Sequence, residues 1–157
     1  MASAAKKILL LDDDYESMLP LKLFLETVHD FAVELTANKA LLTRLPQEKF
    51  DLICVDLMIH PIGLDADHHE VQNIHFDQVN WRRTGLAFLK QLREGQFSRD
   101  PKQGTSPQVP VILLSAVADT SAAEVLEFSP YAQYMEKPFD LDELLDRINQ
   151  LLKDSAA

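Results

Sequence analysis

The apolar residues of this chain fall into two alternating rhythms. Ile8-Leu9-Leu10-Leu11, Leu52-Ile53-Cys54-Val55 and Val111-Ile112-Leu113-Leu114 are short continuous runs bounded by charged or turn residues, the pattern of strands buried on both faces. Between them, apolar positions recur at the i, i+3, i+4, i+7 spacing of an amphipathic helix, as in Leu21, Phe24, Leu25 and Val28. The pattern predicts strands over residues 7–11, 31–36, 52–56, 109–115 and 131–136, and helices over 15–28, 38–45, 84–94, 122–128 and 140–153. Pro46 stops the second helix and Gly95 the third. Asp140 caps the last, with Glu143 three positions on as in a capping box. Pro20 would break a helix interior, so the first helix is expected to have an irregular first turn or a late start. Strands alternating with helices in this way predict a three-layer α/β fold, a parallel sheet covered on both faces.

In a parallel α/β sheet the carboxyl ends of the strands converge on one edge, where ligands bind. Here those ends carry chemistry. The first run ends on Asp12-Asp13-Asp14, the second on Asp56, the third on Ser115, and the last strand on Lys137-Pro138. An aspartate after an apolar strand is by itself a common cap or turn residue; the ordered set is what points to a pocket. Asp14, just before the first helix, reads as its cap rather than as a ligand. Three carboxylates in one small site repel and raise each other's pKa unless compensated. Mg²⁺, a hard cation with oxygen ligands, suits them, and with Lys137 the formal charges balance.

Composition changes this picture little. The chain has 157 residues, a length that fits one domain with a real core. Hydrophobic residues make up 46% and charged residues 25%, ordinary for a globular protein. The net charge of −10 argues against nucleic-acid partners and anionic membrane surfaces. No apolar run approaches the ~20 residues of a membrane span, and the first residues do not read as a signal peptide. The single cysteine, Cys54, lies within an apolar strand, so it reads as a core residue in a reducing, cytoplasmic setting.

Most of the chain resembles the receiver domain of two-component response regulators, through residues 7–14, 50–58, 84–93, 110–116 and 131–148. The resemblance implies a flavodoxin-like five-stranded parallel sheet of order 2-1-3-4-5. It implies that Asp56 accepts a phosphoryl group from a phosphohistidine on a histidine kinase or histidine phosphotransfer protein. Asp12, Asp13, Asp56 and the backbone carbonyl of Met58 would hold Mg²⁺. Lys137 and Ser115 would contact the phosphoryl oxygens, with Ser115 and Tyr134 acting as the switch pair. Tyr134 also reads as a plain half-buried strand tyrosine. The Lys137–Pro138 peptide would be cis. Side chains two positions after the acceptor and after the serine, Met58 and Val117, would shape water access to the acyl phosphate. The expectation is a stand-alone receiver spanning residues 1–157, monomeric or dimerising on phosphorylation, that signals to a downstream protein.

The chain departs from that family in three places. Receivers usually carry a proline four residues after the acceptor; here that residue is His60, and Pro61 follows. A long insertion, residues 59–83, separates the acceptor strand from the next helix, and the loop over 96–108 is also long. The insertion holds His60, His68, His69 and His75 with Asp65, Asp67, Glu70 and Asp77. A transition-metal site there is conceivable, but His68 and His75 stand too far apart along a helix to share an ion unaided. The simpler expectation is a short surface helix, with Asp67 as cap, Glu70 closing the box, and Val71 and Ile74 packing it down. Trp81 would pin the insertion to the body, with Arg82 and Arg83 solvated; a partner-docking spot is the other reading. The insertion is expected to gate the pocket or select the partner, and to be replaceable by a short turn without loss of the fold.

Two further functions compete with the signalling switch. The acidic triplet also fits the Asp-x-Asp of haloacid-dehalogenase-like phosphatases, but Glu16 stands where their motif continues with a threonine, and that scheme leaves Asp56 unused. The other is a receiver-like module that binds partners without phosphorylation.

Overall fold

The computed structural model describes residues 5–64, 67–98, 104–116 and 131–156. Strands β1 (Lys7–Leu11), β2 (Ala32–Thr36), β3 (Leu52–Asp56), β6 (Val111–Ser115) and β7 (Ala132–Glu136) form one sheet, order β2-β1-β3-β6-β7, with every pairing parallel. Setting aside β4 (Ile62–Leu64) and β5 (Glu70–Gln72), which form a separate two-stranded sheet, this is the 2-1-3-4-5 order. The helices are α1 (Tyr15–His29), α2 (Leu41–Arg44), α3 (Thr84–Arg93) and α4 (Leu141–Ala156), with a 3-10 turn at Trp81–Arg83. The helix expected over 122–128 lies outside the described residues. None of the described helices is long and apolar enough to cross a membrane.

The pleat sends alternate residues of each strand to opposite faces, so the sheet separates two cores. Leu9, Leu11, Ile53, Val55, Val111 and Leu113 pack with Leu41, Leu45, Phe88, Leu89 and Leu92 from α2, its flank and α3. Ile8, Leu10, Leu52, Cys54, Ile112 and Leu114 pack with Met18, Leu21 and Leu25 of α1 and with Leu144, Leu145, Ile148 and Leu151 of α4. Cys54 is a core residue, and burial pushes its thiol up to about 12.

Three expectations need correction. α1 neither starts late nor breaks at Pro20: it begins at Tyr15 behind an Asp14 cap that accepts from the Ser17 amide, and Pro20 sits within it. Burial of Met18, Leu21 and Leu25 on either side of the proline offsets the one lost backbone bond. The helix expected over 38–45 shrinks to the single turn α2.

The insertion is the third case: it forms an antiparallel hairpin, β4–β5, not a helix. His68 is in the left-handed region at the turn, and Glu70 lies in β5 instead of closing a box. The reason is tertiary. The segment after β2 supplies backbone partners that a helix could not use: Lys39 N–H donates to Gln72 O and Ile74 N–H to Ala37 O, both at 2.9 Å. Ile59 and Ile74 are fully buried in the α2–α3 core, so the insertion contributes to that core.

At α4, the Asp140 carboxylate accepts from the amides of Asp142 and Glu143, as expected of a cap. Glu143 pairs with Arg147. The described part of the long loop is pinned by Thr105, whose hydroxyl donates to Glu48 O and accepts from the Phe50 amide. Arg93 donates to the carbonyls of Pro107 and Val109.

Candidate functional site

Because β1, β3, β6 and β7 run parallel, their polar ends meet at one edge. Asp12 follows β1 and is 1% exposed. Its Oδ1 accepts from the Asp14 amide at 2.8 Å, and its Oδ2 takes the Lys137 ammonium at 2.7 Å. Asp56 ends β3, with its side chain 13% exposed. Its Oδ1 accepts from the Met58 amide at 3.2 Å and its Oδ2 from Lys137 at 3.2 Å. Asp13 is half-buried and accepts from the His60 amide at 3.1 Å. Carboxylate oxygens of Asp12, Asp13 and Asp56 all lie within 4.8 Å of one another.

Ser115, fully buried, ends β6 one residue beyond Leu114, the register partner of Asp56. Its carbonyl accepts from the Lys137 amide at 2.7 Å, and the Lys137–Pro138 peptide is cis. Tyr134 lies on β7, partly buried against the α2–α3 core. The structure thus joins Asp12 and Asp56 through Lys137 and sets Asp13 beside them, with Ser115 on the adjoining strand end and Met58 in the loop leaving β3.

The electrostatics of this cluster are unbalanced. Burial, followed by the Asp12 charge, pushes Asp56 up to about 6 against the pull of Lys137. Burial, then the neighbouring carboxylates, raises Asp13 despite the amide bond from His60. Burial alone would lower the Lys137 pKa, but Asp12 and Asp56 together hold it above its ordinary value. One ammonium against three carboxylates leaves a deficit of positive charge in an all-oxygen donor set. That deficit fits a hard divalent cation such as Mg²⁺, which would relieve the shifts on both aspartates.

Three contributors were not anticipated from the sequence. Gly85, in the first turn of α3, donates its N–H to Leu57 O at 2.9 Å, and a Cβ there would stand 2.2 Å from the Asp56 carbonyl oxygen. A glycine opening a helix was the available sign. His60 presents its amide to Asp13, and the buried Asn73 holds the His60 carbonyl; neither has a local signature. Trp81 ties the end of the insertion to its start. Its carbonyl accepts from the Ile59 amide, and its ring lies 5.3 Å from that of His60. The exposed Arg82 sits over the indole at 5.1 Å.

No protein-family model and no curated protein sequence matches this chain. Solved structures do. A Francisella response regulator receiver domain is 25% identical, covers 96% of this chain and 98% of its own, and superposes with a TM-score of 0.66. A CheY-like receiver domain protein from Methanospirillum hungatei is 21% identical, with 96% of each chain covered and a TM-score of 0.62. A Burkholderia pseudomallei response regulator, solved with a phosphorylated aspartic acid, a calcium ion and citrate, is 20% identical. It covers 96% of this chain and 71% of its own, with a TM-score of 0.61. Sheet order, full-length superposition and an acidic cluster at the strand ends agree: the chain has the fold of a response regulator receiver domain.

Proposed function

We propose that this protein is a phospho-accepting receiver in which Asp56 takes a phosphoryl group from a partner's phosphohistidine and thereby switches protein contacts. The observation that carries the reading is the cluster itself: at a strand end, Asp56 shares the Lys137 ammonium with Asp12 and stands within 4.8 Å of both Asp12 and Asp13. An oxygen of Asp56 attacks phosphorus, the P–N bond breaks, and its electron pair returns to the donor imidazole. Phosphoryl transfer asks a protein mainly for positioning and neutralisation of charge. Bound Mg²⁺, held by Asp12, Asp13, Asp56 and the Met58 carbonyl, would supply much of that neutralisation. Lys137 contributes the rest and steadies the Asp56 carboxylate.

The product exchanges a charge of about −1 on Asp56 for one near −2. Lys137 and Ser115 then gain new oxygens to pair with, and Tyr134 on the next strand responds as the other half of the switch. The partner is a histidine kinase or histidine phosphotransfer protein, the setting is cytoplasmic, and the role is signalling rather than turnover. The phosphatase alternative still leaves Asp56 without a task. The Burkholderia neighbour, with its phosphorylated aspartate and calcium ion, supports a phospho-accepting, cation-binding reading.

Acetyl phosphate with Mg²⁺ tests this by intact mass. One phosphoryl adduct that maps to Asp56 and does not form when EDTA replaces Mg²⁺ is expected. No adduct on the folded protein would leave the phosphorylation-independent binding module as the reading, and steady release of phosphate from a monoester would favour the phosphatase.

The phosphoprotein is expected to be long-lived, because neither Met58 nor Val117 can orient an attacking water by a strong hydrogen bond. Val117 lies outside the described residues. Decay of the adduct within seconds, with no phosphatase added, would contradict this.

A further inference from the structure

We propose that the 59–83 insertion is a working part of the acceptor site and that Asn73 is its positioning residue, holding the His60 peptide segment so that its amide orients the Asp13 carboxylate. This rests on the Mg²⁺-dependent acceptor reading above. Asn73 is 1% exposed and grips the turn after Asp56 twice. Its backbone N–H donates to Pro61 O at 2.9 Å, and its Nδ2 donates to His60 O at 3.0 Å. The amide of that same His60 donates to Asp13 Oδ2 at 3.1 Å. A prolyl nitrogen at position 60 would carry no hydrogen, so this donor exists because residue 60 is not a proline.

The other side of Asn73 is anchored as well. It bridges to Asn38, and its neighbours Gln72 and Ile74 bond to the backbone of Lys39 and Ala37. That segment follows Thr36, whose carbonyl accepts from the Asp12 amide at 3.3 Å. A continuous strap therefore runs from the end of β2, through Asn73 and His60, to Asp13. Gly63 leaves the space for it: a Cβ there would stand 2.5 Å from Asn73 Nδ2. Asn73 Oδ1 is buried with no partner among the described residues, so the amide end makes the side chain's polar bond. An unpaired buried oxygen is costly, and an apolar side chain would avoid that cost but could not hold His60.

A carboxylate with one oxygen tethered loses rotational freedom. Outer partners of metal-binding carboxylates commonly control affinity by about 10- to 100-fold. The test uses the full chain with Asn73→Ala, the near-isosteric Asn73→Asp, which lacks the donor, and Gly63→Ala, whose methyl would crowd Nδ2. Ile74→Val serves as a control, since it loosens the same buried segment without touching His60. Mg²⁺ affinity is measured by calorimetry. Exchange of the His60 amide is followed in EDTA by NMR with ¹⁵N-histidine.

Each of the first three changes is expected to weaken Mg²⁺ about tenfold and to speed exchange at the His60 amide, while Ile74→Val does neither. A folded Asn73→Ala or Asn73→Asp protein with wild-type Mg²⁺ affinity would overturn the proposal. So would equal weakening by Ile74→Val, or an unprotected His60 amide in the wild type. A wild type that binds no Mg²⁺ sinks the acceptor reading and removes Asn73's role in it. Mg²⁺ binding by the wild type with unchanged affinity in the Asn73 variants sinks the role of Asn73 alone, so the two failures are distinct.

Discussion

Asp56→Asn is expected to take up no phosphoryl group from acetyl phosphate, and in the absence of Mg²⁺ to be more stable than the wild type. The first outcome follows if Asp56 is the sole acceptor, since an amide oxygen is a far poorer nucleophile than a carboxylate. The second follows from its shifted ionisation. Burial and Asp12 push the folded-state pKa of Asp56 to about 6, from an ordinary value of 3.8. Above about 6 the folded protein must hold this carboxylate charged, and the cost is then complete. The cost fades as pH falls through the window from 6 to 3.8, and below it the group is protonated in both folded and unfolded states.

Asparagine removes the cost, and Lys137 keeps its 2.7 Å partner in Asp12. Allowing for partial exposure, the gain above pH 6 is about 2 kcal/mol, enough to move a urea midpoint measurably. The gap should close near pH 4, and Mg²⁺ should narrow it at neutral pH by stabilising the wild type selectively. Equal labelling of the variant would remove Asp56 as acceptor. A wild type as stable as the variant at pH 7.5 in EDTA would refute the electrostatic account.

Gly85→Ala is the second large effect. The added methyl would stand 2.2 Å from the Asp56 carbonyl oxygen and 2.9 Å from the Leu57 Cα, both backbone atoms that cannot swing aside. Either α3 retreats from the sheet or the end of β3 shifts. Overpacking of this kind costs about 3 kcal/mol, a fall in Tm on the order of 10 °C for a domain of this size. Because the displaced group is the backbone of Asp56, the rate of acetyl-phosphate labelling should fall with stability. Gly95→Ala offers a contrast: Gly95 has φ +81°, but a Cβ there meets nothing within 4 Å. That change should cost only local backbone strain and leave labelling untouched. A Gly85→Ala protein with wild-type Tm and labelling rate would mean that the close approach does not constrain the site.

The insertion shows why a fold can be legible while part of its site is not. Removing residues 59–83 strips Ile59 and Ile74 from the core and frees Asp13 of its His60 amide. A shortened chain should therefore lose stability as well as change its labelling rate.

The five sheet strands and the acid, hydroxyl and ammonium groups at their ends could be read from the chain alone, because three of the strands are local runs of apolar residues, the other two alternate with helices around them, and parallel topology obliges the ends to meet. The same holds for the Asp14 and Asp140 caps, which act within a few residues of themselves. Helix continuity through Pro20, the single turn of α2 and the β4–β5 hairpin in place of the helix expected after Asp67 were decided only in three dimensions. So were the pressure of Gly85 on Asp56 and the strap from Asn73 to Asp13. Each depends on partners far along the chain: Ile74 on Ala37, Asp13 on His60, Asp56 on Gly85. Local propensity carries no record of such distant backbone bonds and close approaches, and tertiary contacts worth a few kcal/mol override its smaller preferences.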